Sequence, residues 1–224
     1  MRVPRKRPPS PVPAARGRPR SRRVQEAVFD AASALLEEGG YPAATIEAIA
    51  ARSGVAKTTI YRRWPNRSAL FVDLMGRLTD TELPAPVGGD PLRGLHLELR
   101  TAGVNADRVP GRLMVSLLGE AQHDPEVRAA LLQRVLLPRR EVRARAIRRA
   151  QASGALRGDL HPNLAVDLLW GPVFYRMLVR HEPVTPGFVT QVFESVLTGL
   201  KPRPRAAKPA IRLARRSSRR AKSA

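Results

Sequence analysis

Residues 45–64 read TIEAIAARSGVAKTTIYRRW, and their spacing admits few folds. Two short helices that cross need a small residue at the crossing, a glycine in the turn and apolar residues shared by both. Ala50, Gly54 and Ile60 stand at those positions, and Ile49 and Val55 add common packing. Thr45 is placed to cap the first helix and Gly54 to end it. The segment is predicted to be a helix-turn-helix. Its second helix would lie in a DNA major groove with its N-terminal residues facing base edges.

The flanking sequence is helical in the same way. From about Ser21, the residues Val24, Ala27, Val28, Ala31, Leu35 and Leu36 recur at helical spacing until Gly39-Gly40. Pro65-Asn66 breaks the chain after the recognition segment, and a fourth helix carries Ala69, Leu70, Val72, Leu74 and Leu78. The stretch 83–91, LPAPVGGDP, reads as a hinge or linker. Asp90-Pro91 then looks like a cap with proline at the first helical position. Helices are expected at about 91–106, 110–122 and 125–152, with a kink or break at Pro138, and then at 162–180 and 186–199. No useful strand-like alternation and no internal repeat is present, so the expected class is all-α.

The formal charge of +21 is unevenly placed. Residues 1–23 hold nine Lys/Arg and no acid, residues 201–224 hold ten and no acid, and the body between them is nearly neutral. Tails of this composition cannot bury enough apolar surface to fold alone, but they attract polyanions through counterion release. Four parts are expected: a disordered basic arm (1–20), a helix-turn-helix domain (21–67), a second helical domain (68–200) and a disordered basic tail (201–224). The chain has no cysteine, which excludes disulfides and thiolate metal sites. Its start has no apolar run of the kind a signal peptide needs, and no stretch is long enough for a membrane span. The expected location is cytoplasmic, with no membrane partner.

The run Thr45…Ile49-Ala50…Gly54-Val55…Thr59…Tyr61…Trp64…Arg67…Leu70 resembles the DNA-binding signature of the tetracycline-repressor (TetR) family. The resemblance covers about 21–75, since Ala31-Ala32…Leu35-Leu36…Gly39-Gly40-Tyr41 matches as well. Three positions depart from the usual pattern. Trp64 and Arg67 stand for Phe and Lys and keep the chemistry, whereas Ala56 replaces a capping Ser, a loss of about 1 kcal/mol. By position, Lys57 and Thr58 are expected at base edges, with Arg62 able to reach a guanine. Thr45, Thr59, Tyr61 and Arg67 are expected on phosphates. Trp64 is expected to pack first and to touch the DNA backbone second. Arg18 and Arg20 are expected in the flanking minor groove.

The resemblance further implies that the second domain binds a small effector and forms a homodimer on a palindromic operator. The helix at 162–180 is apolar around most of its circumference, and the next carries a strong apolar stripe. Leu169, Val173, Met177, Phe188, Val192, Phe193 and Val196 are the expected dimer residues in a four-helix interface. Met114, Trp170 and Phe174 are the expected walls of an effector pocket, with His96 and Arg100 as its polar contacts.

His96, His123, His161 and His181 are far apart and in no metal-ligand spacing. There is no phosphate loop and no nucleophile elbow, and His123-Asp124 reads as a helix cap. No cofactor and no enzymatic activity is expected. The favoured reading is a ligand-responsive DNA-binding regulator, usually a repressor in proteins of this kind. A sequence-tolerant nucleoid or architectural protein is the alternative that the two basic tails leave open.

Overall fold

The computed structural model describes residues 18–80 and 90–202, with side chains over 21–79 and 90–202. Every regular element among them is helical. The first four are α1 (Arg18–Ala43), α2 (Ile46–Ser53), α3 (Lys57–Arg63) and α4 (Arg67–Asp80). Then come α5 (Pro91–Val104), α6 (Val109–Glu120), α7 (Pro125–Leu131), α8 (Leu137–Ala152), α9 (Pro162–Val179) and α10 (Pro186–Leu200).

Local chemistry sets most of these ends. Thr45 Oγ1 accepts the Ala48 amide at 3.1 Å to cap α2, and Gly54 closes it at φ 68°, a conformation open to glycine. Asp90 Oδ1 accepts from Leu92 N at 2.9 Å ahead of Pro91. Asp124 caps α7 through the amides of Glu126 and Val127, so the His123-Asp124 turn is a cap. Ala56 offers α3 no side-chain cap, as its methyl group requires. The α1 ladder is interrupted at Gly40 (φ 68°, ψ −168°), where the periodic pattern stops, and a final turn runs on to Ala43.

The break expected at Pro138 lies just ahead of that residue. Residues 132–136 form a π-helical turn between α7 and α8. Proline lacks an N–H and its ring crowds the carbonyl four residues back, here Arg134, so the turn widens by one residue. Pro138 itself is the second residue of α8, directly after that turn.

Two apolar cores result. One runs from Val28 on α1 through Ile49, Ile60, Trp64 and Leu74 to Leu117 and Val135. It binds the helix-turn-helix to α6 and α7, so the boundary read at 67/68 falls at the first residues of α4 within a shared core. The other is built by α5, α8, α9 and α10 around Leu99, Ile147, Leu169 and Val189. No described helix is long and apolar enough to cross a membrane.

Candidate DNA interface and effector cavity

The second helix of the motif presents one uncommitted face. Ile60 is fully buried against the core, whereas Lys57, Thr58, Tyr61 and Arg62 are exposed and share one side of α3. Thr59 is half-buried. Lys57 Nζ meets Glu47 at 3.3 Å, an exposed pair that water and salt screen. The backbone amide of Glu47 first, and then the hydrogen bond from Lys57, hold the Glu47 carboxyl below its usual pKa range. Thr45, half-buried, uses its oxygen on the cap and keeps its hydroxyl proton to donate elsewhere.

Two residues expected at the DNA face inward instead. Trp64 is 1% exposed, tilted against Phe29 at 5.6 Å, and its Nε1 donates to Asp73 Oδ2 at 2.9 Å. It is a core residue with no surface left for a DNA backbone. Arg67 is half-buried. Its guanidinium donates to the Tyr41 carbonyl oxygen and lies over the Tyr41 ring at 4.0 Å and the Phe71 ring at 5.5 Å. The group expected on a phosphate pins the start of α4 to the end of α1. Arg63, not singled out in the sequence, donates to Ser21 Oγ at 3.0 Å and to Gln25 Oε1, so it ties α3 to α1. The backbone at Arg18 and Arg20 begins α1, but their side chains lie outside the described residues, as do residues 1–17 and 203–224.

Below the motif, polar bridges join it to α6 and to the π-helical turn. Tyr41 Oη and Ser68 Oγ both donate to Glu120 Oε2 on α6 at 2.8 Å. Burial, with Glu120 beside it, raises the Tyr41 phenol far above its ordinary range, so it stays a donor. Asp73 on α4 accepts from Trp64 on one oxygen and from Arg134 of the π-helical turn on the other at 2.7 Å.

A cavity of about 90 Å3 opens between α4, α5, α6, α8 and α9. Met114, Trp170 and Phe174, the expected pocket walls, are among the residues that line it. Met75 and Thr79 of α4 also line it, together with Glu98, Arg139 and Arg143. Arg143 donates Nε and Nη2 to one oxygen of Glu98 at 2.9 and 2.6 Å, and its guanidinium lies 4.0 Å above the Trp170 ring. The charged groups of this pair are only 11% exposed each. These residues were missed because Glu98 and Arg143 are 45 positions apart, and nothing local marks them as partners.

His96 and Arg100 lie elsewhere. A helix turns about 100° per residue, so positions 96 and 100 face away from 98. Arg100 is exposed, and His96 stacks on Phe193 of α10 at 4.4 Å. Burial, then Arg100, lowers the His96 pKa against the opposing pull of Glu194. The folded chain therefore holds this proton less tightly than the unfolded one, whose imidazole titrates near 6.5. Its contribution to stability is present above that pH and is lost as pH falls through the folded value. Denaturant midpoints at pH 7.5, 6 and 5 are expected to fall, and His96→Phe, which keeps the ring stack, is expected to flatten the fall. An unaltered pH slope in His96→Phe would assign the dependence to other groups.

The expected dimer residues lie on α9 and α10. Leu169, Val173, Val192 and Phe193 are buried within the single subunit, and Met177, Phe188 and Val196 are partly buried against the same core. They hold α9 and α10 onto α5 and α8. The apolar stripe that α9 leaves in the open is Leu164, Leu168, Tyr175, Leu178 and Val179, with exposed Gly171 between its halves.

Comparison with known proteins agrees with this geometry. Residues 28–74 match the model described as bacterial regulatory proteins, tetR family, and residues 85–196 match the tetracyclin repressor-like C-terminal domain. The chain is 29% identical to an uncharacterized HTH-type transcriptional regulator, YdeS of Bacillus subtilis, over 83% of this chain and 94% of that one. It is 34% identical to the HTH-type transcriptional repressor KstR of Mycolicibacterium smegmatis over 34% of this chain and 39% of KstR. Among solved structures, the TetR family transcription regulator SCO0332 superposes with TM-score 0.68 at 35% identity, over 80% of this chain and 99% of that one. The regulator FadR from Bacillus subtilis, solved with stearoyl-CoA, shares the fold at TM-score 0.63 and 19% identity, over 78% and 98% of the two chains.

Proposed function

This chain belongs to the TetR family of bacterial transcriptional regulators, and from that premise we propose a dimeric repressor that leaves its operator when a small molecule fills the cavity. The observation that carries the reading is the double role of α4. Its first half is pinned to α1 through Arg67 and to the end of the helix-turn-helix through Asp73, and its far end supplies Met75 and Thr79 to the cavity wall. A ligand that displaces Met75 or Thr79 acts on the helix that orients the DNA-reading pair. Such a ligand shifts the population toward subunit arrangements whose recognition helices miss the operator half-sites. The relative KstR is named a repressor, which supports the sign of regulation. The reading assigns no catalytic role to any residue and places the protein with the chromosome in the cytoplasm.

In this reading Lys57, Thr58 and Arg62 meet base edges, and Thr45, Thr59 and Tyr61 meet phosphates. Lys57→Ala and Arg62→Ala are each expected to weaken operator binding by about 1–3 kcal/mol, roughly five- to 150-fold, and to relax preference at one base pair. Both side chains are exposed, so folding should be unaffected. Titrations on the operator and on single-base variants check this. Uniform weakening across all sequences would make the two residues phosphate contacts instead.

The test of the whole reading is selection of bound DNA from a random pool by the full chain at physiological salt. A palindromic consensus is expected. Recovery of unrelated sequences would instead favour a sequence-tolerant architectural protein, whose binding comes from the two basic tails.

A further inference from the structure

The cavity carries a chemical signature of its own. Trp170 is 4% exposed on its wall, and the buried Nε1–H meets no acceptor among the described residues. Buried donors are almost always satisfied, so one without a partner on a cavity wall marks a place for an incoming acceptor. Arg143 covers a face of the same ring, and it bonds Glu98 through Nε and Nη2. Around this donor-rich end the wall is apolar, with Met75, Met114, Val173, Phe174 and Met177. Three of those five are methionines, which reshape readily around an incoming group.

Resting on the reading of the cavity as the effector site, we propose that its occupant is a compact apolar carboxylate. One carboxylate oxygen accepts the Trp170 Nε1–H beside the Arg143 guanidinium, and the hydrocarbon body lies among the methionines. Ammonium ions bring only donors, and the one carboxylate of the lining, Glu98, is already paired with Arg143, so they are expected to bind less well. Size narrows the class further. About 90 Å3 is far below the roughly 300–1,000 Å3 of pockets that take drug-sized ligands, so a single ring or a short branched chain fits. The long-chain acyl group seen in the FadR neighbour does not.

The test uses the full chain and three matched probe sets, built on benzoate, cyclohexanecarboxylate and isovalerate, each with its primary amide and its amine. Calorimetry is expected to show at least one carboxylate binding about ten-fold more tightly than its amide, and its amine binding less well than the carboxylate. Trp170→Phe keeps the ring but removes the N–H, and is expected to erase about ten-fold of that carboxylate's affinity. An amide equal to its carboxylate, an amine that binds tightest, or no binding in any set overturns the proposal. Release of the selected operator is followed in parallel. An amine or amide that binds and releases DNA leaves the effector reading standing and overturns the carboxylate. A carboxylate that binds through Trp170 without releasing DNA supports the ligand class and removes the effector role.

Discussion

Trp64→Ala is expected to destabilise the protein by about 3–5 kcal/mol and to abolish DNA binding only through loss of the fold. The indole is 1% exposed, fills the space between Phe29 and α4, and holds Asp73 through Nε1. Removing it leaves a cavity beneath α3 and frees one oxygen of the carboxylate that also receives Arg134. For a chain of this size, that loss lowers the melting temperature by about 10 °C. Trp64→Phe separates packing from recognition. It keeps a ring against Phe29 and gives up one hydrogen bond, worth about 1 kcal/mol. Its operator affinity, measured well below the melting point, should equal that of the unaltered chain. If a folded Trp64→Phe lost affinity, the side chain would touch DNA and its burial here would mislead.

Trp64 also marks how far the sequence could be read. The helix-turn-helix was legible because every feature defining it lies within 20 positions: the Thr45 cap, the Gly54 turn and the Ile49–Ile60 packing. The caps at Asp90 and Asp124 were local too, so those helix starts followed. Arg67 was misread because its partner is the Tyr41 carbonyl, 26 residues earlier, and an arginine at a helix start suits a phosphate equally well by local rules. The same limit hid Glu98 and Arg143, whose pairing needs α5 and α8 packed side by side. His96 and Arg100 were placed on the wrong side of α5, because a stretch with leucines on both faces does not reveal which one meets the cavity.

The buried pair bears on how the cavity works. Two charges taken out of water contribute little net stability, although breaking one partner from the other is costly. The Glu98–Arg143 pair is therefore better understood as a device that holds the guanidinium over Trp170 and orders the polar end of the cavity. Its companions across the cavity, Met75 and Thr79, belong to the helix that carries Asp73. Ligand chemistry and DNA geometry thus meet on α4, through groups too far apart in sequence to announce their connection.

Leu168→Arg is expected to turn the protein into a well-folded monomer with little operator affinity. Leu168 is 43% exposed at the middle of the α9 stripe, so the subunit core does not depend on it. In a two-fold interface the substitution occurs twice, and it sets two guanidinium groups near one another in an apolar contact, at a cost of several kcal/mol. Dimer dissociation should rise by about a thousandfold or more, with sedimentation or light scattering as the readout. Operator binding falls with it, because one subunit reads a single half-site. The neighbouring residue supplies the contrast. Leu169 is fully buried one position along, about 100° around the helix, so Leu169→Ala should cost about 2–5 kcal/mol of stability through the subunit core. The two leucines look alike in sequence because α9 is apolar on nearly every side, and only the packing of α5, α8 and α10 against it decides which stripe remains outside. A Leu168→Arg protein that stayed dimeric would move the interface away from α9, and a Leu169→Ala protein of unchanged stability would overturn the burial on which the distinction rests.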